Sequence, residues 1–597
     1  QTFDMSFPFA SRPYLVPLAA STPSPFGPLP GGRPLGTDPD GKDKDKDKDD
    51  AERPAITVDA DGLAGRVVGV PVIEARYSSL RAVKGGLAWL RDPVAGVLGE
   101  GSASPEDEAP RAVLERFDLR KREVAELVDG LDWYDVSGDG TRIVVKDHDE
   151  LRVLPSEAKD DHGSGESVTV DLARARFQAD PAALWEHAYT EAGRLMRRDF
   201  WTPDMSGVDW DQILDSYRPL LDRVRGADDF TDLLWEVVAE LGTSHSYVLK
   251  AGEDFFGGNP GAAAVGQLGA DISRDGSGRW VVDRVLPGES SDPRARSPLE
   301  APGVVVRPGD EIVAVDGRAV DPVWGPRPLL AGTVGKPVEL EVRPAGGGEH
   351  RRVAVVPLKD ERRLRYQEWV ASRRRLVREL GDGRLGYLHI PDMMGEGWAD
   401  FHRDLRTEVR MDGLVMDVRA NAGGHISQLV VEKLARRILG WDAGRWYRPV
   451  PYPEEARRGP IVTVADEFAG SDGDIVTAAI KLLGLGPVVG TRTWGGVIGI
   501  EGIPGHELVD GTHMTVPTFA FWFGEYGWSV ENYGVDPDVE VLISPDDWAA
   551  GRDPQLETAV RFALEALEKQ PPLVPPDVST GPVKARPPLP PRGQGER

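Results

Sequence analysis

The amino-acid sequence predicts a multidomain chain: a strand-rich start, a small helical module, a second strand-rich module, and a last module in which strands and helices alternate. Three observations carry this. The chain has 597 residues, which at ~150 residues per domain corresponds to roughly four domains. Hydrophobic residues make up 40% and charged residues 28%, enough apolar material for several buried cores. The hydrophobic pattern switches from strand-like runs to helical spacing near residue 180 and back near 252.

Residues 1–172 hold short runs of β-formers: Val67 to Val72, Gly86 to Leu90, Val113 to Leu119 and Arg142 to Lys146. Gly138-Asp139-Gly140 supplies turn conformations between the last two. Such spacing suits the blades of a β-propeller, with too few strands to close one. The Lys/Asp alternation at 41–50 has no hydrophobic face and reads as a solvated loop, as does 100–110. Its interleaved lysines compete with calcium for the carboxylates.

From 180 to 250 the period is helical. Pro181 opens a helix, and Trp185, Ala188, Tyr189, Ala192 and Leu195 follow at spacings of three and four. Ile213, Tyr217, Leu220, Leu221 and Val224 form a second set, and Phe230, Leu233, Leu234, Val237, Val238 and Leu241 a third. Residues 252–358 return to strands, with Gly266 to Ile272, Trp280 to Val285, and the run Arg307-Pro308-Gly309-Asp310-Glu311-Ile312-Val313-Ala314-Val315-Asp316-Gly317. That run resembles a PDZ domain, whose groove binds extended peptide by strand addition; an inert spacer is the alternative.

From 359 to 568 strands at Gly386 to Ile390, Gly413 to Val418 and Pro460 to Ala465 alternate with helices over 427–439 and 472–483, which argues an α/β domain. The last 28 residues contain nine prolines and read as a disordered tail from 569 to 597. Within it Pro587-Pro588-Leu589-Pro590-Pro591-Arg592 mimics an SH3 ligand.

Charge narrows the partner classes. The formal net charge is −27, a surface that repels phosphate backbones and attracts cationic peptides. No cysteine is present, so thiolate metal sites and a Cys nucleophile are excluded, and the composition suits a reducing compartment. No stretch approaches the ~18 apolar residues of a membrane span. The start Gln1-Thr2-Phe3-Asp4 lacks an initiator Met and a signal pattern, as expected of a piece of a longer chain.

Four motifs can carry chemistry. Gly470-Ser471-Asp472 joins an apolar strand to a helix, where Ser471 is either a nucleophile at free N–H groups or a plain helix cap. Asn421-Ala422-Gly423-Gly424 ends another strand; its N–H groups suit an oxyanion hole, and an ordinary turn is the alternative. Thr243-Ser244-His245 offers a base of the right pKa range, though most histidines are structural. Glu531, in an acidic turn, could orient that base and carries no signal by itself.

Taken together and in this order, the modules and motifs resemble the tricorn peptidases, strongly over residues 180–565. Residues 1–172 are similar to the trailing part of that family's seven-bladed propeller, the earlier propeller parts being missing. The resemblance implies an α/β crotonase-like catalytic domain of the tail-specific-protease type. It makes Ser471 the nucleophile, His245 the base, and Ser244 and Glu531 the groups that hold the imidazole. It makes Gly424 and Asp472 the oxyanion donors, Asp442 the selector for a basic side chain before the scissile bond, and Gly423, Gly499, Ile500 and Glu501 the substrate track. It also implies a cytoplasmic serine endopeptidase for short peptides, hexameric in the family, without metal or cofactor.

The carboxyl-terminal processing peptidases share PDZ and α/β modules and use a Lys about 25 residues after the Ser. Here that position is Gly496, and the only intervening lysine, Lys481, lies inside the predicted helix. A non-catalytic peptide-binding scaffold is the alternative from another class.

Overall fold

A computed structural model describes residues 11–22, 25–26, 56–93, 110–159, 167–176, 178–251, 264–288, 295–500 and 506–577, with a few positions up to 586. The chain divides into two compact units, 1–178 and 179–597. The charged run at 41–50, positions 100–109, Glu501 and the proline motif at 587–592 lie outside the described residues.

The first unit holds two four-stranded antiparallel sheets, each in chain order. One comprises Arg76–Val83, Gly86–Asp92, Ala112–Asp118 and Glu123–Leu131; the other comprises Trp133–Val136, Arg142–Asp147, Glu150–Pro155 and Val168–Val170. The turn at 137–140 is closed by Asp139, whose carboxylate accepts from Ser137 Oγ at 2.6 Å and Thr141 N at 3.0 Å. Alternating residues fill the core: Trp89 stacks on Phe117, while Leu114, Tyr134, Ile143 and Val145 are buried together. The run predicted from Val67 to Val72 contracts to Val68–Gly69, paired with Tyr14–Leu15. Pro71, which has no N–H to donate, stops it.

The second unit begins with the helical module. Asp180 caps the Pro181–Asp199 helix through Ala182 N at 3.1 Å, and Ala188, Tyr189, Ala192, Leu195 and Met196 form its buried face. The third set lies on Ala227–Ala239 and just beyond it. The second set is not one helix. Trp210–Tyr217 is α-helical, Pro219 converts the continuation into a 3-10 turn, Arg218–Arg223, and Leu220 is left exposed. The module's core also contains Val248, Leu508, Met514 and Val516, and Val248–Leu249 pairs antiparallel with His513–Met514.

An antiparallel sheet in the order Ala270–Arg274, Trp280–Val285, Glu311–Val315, Val338–Arg343, Arg351–Val355 forms the β module around Val282, Leu299, Ile312 and Leu340. The α/β module is a five-stranded parallel sheet in the order Leu385–His389, Gly413–Asp417, Ile461–Ala465, Val488–Gly490, Val539–Glu540. Both faces are covered, as a parallel sheet requires. Leu414, Met416, Ile461 and Ala465 pack under the helices Gly395–Glu408, Ser427–Ala435 and Asp472–Leu482. Val415, Val462 and Val464 pack under Arg362–Leu380 and Pro554–Lys569.

Two boundaries differ from expectation. The helix predicted over 427–439 ends at Ala435, because Leu439 N donates to Tyr452 O at 2.8 Å and draws the chain into a hairpin of Gly440–Asp442 with Val450–Tyr452. The tail is anchored at its start: Leu573 N donates to Arg458 O at 2.8 Å and Arg458 Nε donates back at 2.9 Å. Among the described residues no helix is long and apolar enough to cross a membrane.

Candidate active site

Two loops at the carboxyl ends of adjacent parallel strands meet here, the usual place for a site in an open α/β sheet. After Ile461–Ala465 the chain turns through Gly470 into Ser471, whose φ of 57° and ψ of −119° are strained for a residue with a Cβ. Ser471 occupies the cap position of the Asp472–Leu482 helix, yet its side chain makes no capping hydrogen bond. Its Oγ instead lies 3.1 Å from His245 Nε2. The helix-cap alternative therefore falls.

His245 reaches the site from the far side. The Thr243–Tyr247 segment leaves the helical module and is hung on the C-terminal part of the chain. Thr515 Oγ1 donates to His245 O at 2.6 Å and accepts from Tyr247 N at 2.8 Å, and Asn532 Nδ2 donates to Gly242 O at 2.6 Å. His245 Nδ1 lies 2.9 Å from Ser244 Oγ, which lies 3.1 Å from Glu531 Oε2 and 3.3 Å from Ile498 O. Both oxygens can only accept, and the charged Glu531 carboxylate is the strongest acceptor in reach, so it draws the single hydroxyl proton of Ser244. Ser244 must then accept from the ring, which puts the proton on Nδ1 and leaves Nε2 bare toward Ser471. Burial holds the His245 pKa below its ordinary 6.5, opposed by the negative charge of Glu531. Burial thus favours the neutral imidazole.

Glu531 is itself held by three backbone donors: Ser244 N at 2.7 Å, Val497 N at 2.7 Å and Ile498 N at 2.9 Å. Trp494 stands edge-on to the imidazole, ring centroids 5.7 Å apart.

The glycine loop lies against Ser471. A Cβ on Gly423 would sit 2.6 Å from Ser471 Cβ, and one on Gly424 would sit 2.1 Å from Met393 O. Neither position tolerates a side chain. Gly423 N is occupied by Asn421 Oδ1 at 3.0 Å, whereas no protein acceptor takes Gly424 N or Asp472 N among the described residues. Asn421, fully buried, locks this loop to the nucleophile turn, donating to Ile390 O at 2.8 Å and accepting Gly470 N on its own carbonyl at 3.0 Å. Behind it Arg419 forks onto Asp417 at 2.6 Å and Asp553 at 3.0 Å. The Asp472 carboxylate is turned away onto Ser427 N at 2.8 Å and the Ser427 hydroxyl.

Two groups stand apart. Asp442, the expected selector, is exposed on the hairpin, where Tyr447 Oη donates to it at 3.2 Å. The nearby Arg445 guanidinium lies 4.9 Å over the Trp446 ring. Among the described residues no hydrogen bond or ion pair joins Asp442 to the Ser471–His245–Ser244–Glu531 set. Gly499 pairs with Phe519 in a two-stranded ribbon and Ile500 follows it, half-buried.

Sequence reasoning missed Asn421, Thr515 and Trp494. Asn421 lay within a singled-out motif, and its position two residues before a glycine pair was the available signal. Thr515 and Trp494 had none.

Known proteins share this organisation. Three family models match: the tricorn protease C1 domain over residues 181–239, the tricorn protease PDZ domain over 266–360, and peptidase family S41 over 384–541. Tricorn protease homolog 1 of Streptomyces coelicolor is 58% identical over 578 residues, 96% of this chain and 53% of that protein. The tricorn protease of Thermoplasma acidophilum is 32% identical over 566 residues, 94% of this chain and 50% of that protein. A crystal structure of the tricorn protease matches with a TM-score of 0.78 at 31% identity, covering 93% of this chain and 51% of that one. The chain spans about half the length of these relatives. With its C1, PDZ and S41 modules in the same order, the chain belongs to the tricorn protease family.

Proposed function

We propose that the chain is a serine endopeptidase acting on short peptides through Ser471, His245, Ser244 and Glu531. The observation that carries the reading is the unbroken hydrogen-bonded series Glu531–Ser244–His245–Ser471. As Ser471 Oγ attacks the scissile carbonyl carbon, its proton passes to His245 Nε2. The imidazolium is stabilised through Ser244 by the Glu531 charge and then protonates the leaving amine. Water repeats the sequence to release the acyl group. The N–H groups of Gly424 and Asp472 receive the oxyanion; one such donor is typically worth about 2.7–4 kcal/mol. Substrate lies along Gly499, Ile500 and Glu501 as an added strand. Asp442 selects a basic residue before the scissile bond, and the net charge of −27 favours cationic peptides at longer range. The reading extends to a cytoplasmic homo-oligomer, which sedimentation of the chain checks.

The test is labelling with a fluorophosphonate followed by peptide mapping. Adduct on Ser471, absent in Ser471→Ala, supports the peptidase. A chain that stays unlabelled yet binds peptides is the non-catalytic scaffold.

A further inference from the structure

Beneath the nucleophile sits a carboxylate that the four-residue relay does not use. Asp474 is fully buried in the first turn of the Asp472–Leu482 helix. An isolated buried carboxylate is strongly disfavoured, so its partners carry information. All are donors. Gly495 N reaches it at 2.9 Å and Gly496 N at 3.1 Å, and the Thr493 hydroxyl donates to the same oxygen as Gly495.

The carboxylate joins the two segments the reaction depends on. Asp474 follows, three residues on, the strained turn that presents Ser471. The residues from Thr493 to Gly496 lead directly into Val497 and Ile498, whose N–H groups hold Glu531. Gly495 O also accepts from Asn532 N at 2.7 Å, next to Glu531. Between Thr493 and Gly495, Trp494 is carried against the His245 ring, and a Cβ on Gly470 would meet its indole at 2.6 Å.

We infer that Asp474 is a positioning residue, whose carboxylate ties the first turn of the helix that Ser471 opens to the 493–498 segment and so fixes nucleophile, imidazole and Glu531 relative to one another. It touches no substrate atom. The inference rests on the serine-peptidase reading of the site, and its test separates the two.

Asp474→Asn is isosteric and turns one acceptor into a donor facing donors. Displacement of reacting groups by about an ångström can cost on the order of 10²-fold, so kcat should fall ~10²-fold while KM stays within about threefold. Thr493→Ser keeps the hydroxyl and should retain wild-type kcat; Thr493→Val removes it and should lose at least ~10-fold. If wild-type protein does not react with the fluorophosphonate, the peptidase reading fails. If wild type reacts and folded Asp474→Asn matches it in rate and kcat, only the positioning role fails. Should Asp474→Asn not fold, the Thr493 pair decides: equal kcat for Val and Ser variants overturns the inference.

Discussion

Glu531 grips Ser244 twice, one carboxylate oxygen taking its backbone N–H at 2.7 Å and the other its hydroxyl at 3.1 Å. The carboxylate therefore sets both where the Thr243–Tyr247 segment sits and which way the Ser244 hydroxyl points, and through that hydroxyl which ring nitrogen of His245 carries the proton.

Glu531→Gln should consequently lose more than relay charge. Its amide can no longer accept at both positions, which leaves at least one of the Ser244, Val497 or Ile498 donors unpaired. A buried unpaired donor costs about 1–3 kcal/mol. Thermal denaturation should show that loss alongside reduced kcat, whereas Ser244→Ala should lower kcat with a smaller change in Tm. Equal Tm shifts for both variants would argue against the double grip.

Ser471→Ala and His245→Ala should each lower kcat by on the order of 10⁴, with the double variant little worse than either single one, because the groups act as a unit. Additive losses would break the pairing.

Activity should fall in acid as His245 protonates, with a midpoint below 6.5 because burial lowers its pKa. The sign for stability is the same. The unfolded chain takes up the proton first, near 6.5, so stability present above that pH is lost as pH falls toward the lowered folded value. Buried His389, also lowered by burial, adds to the effect. A pH–kcat/KM profile whose acid limb lies above 6.5 would contradict this.

Because Asp442 is exposed, its preference for a basic residue should be modest and screened by salt. Asp442→Asn should reduce kcat/KM for Arg-containing peptides more than for Leu-containing ones, and the difference should shrink at high ionic strength. Equal losses would assign the preference elsewhere.

The strand Arg76–Val83, mostly exposed, forms a sheet edge in the first unit. Read as a propeller remnant, that unit should be digested first in limited proteolysis, leaving a core from near Asp180 that still labels at Ser471. An intact, resistant fragment of residues 1–178 would overturn the remnant reading.

Periodicity made the helical faces readable: Ala188, Tyr189, Ala192 and Leu195 are buried as their spacing requires. It could not foresee Pro219 breaking the second set or the hairpin that shortens the helix at Ala435, where a distant partner overrides local preference. The chemistry of Ser471 and His245 was visible in residue type and local motif, whereas Glu531 carried no signal by itself. Their convergence was not visible, since Ser471 and His245 are 226 positions apart and Ser244 and Glu531 are 287 apart. What brings them together is the pairing of Val248 with Met514 and the core they share, a contact without any local signature. Asp474 was invisible for a related reason: its partners are mostly backbone N–H groups, which every sequence supplies.

The strand pairing of Val248–Leu249 with His513–Met514 has a consequence for biosynthesis. The ribosome delivers domains from the N-terminus onward, so His245 emerges well before the strand that seats it, and Glu531 later still. Throughout that interval His245 and Ser471 have no shared scaffold. The Ser471–His245–Ser244–Glu531 series therefore closes late, once the segment through Glu531 has docked.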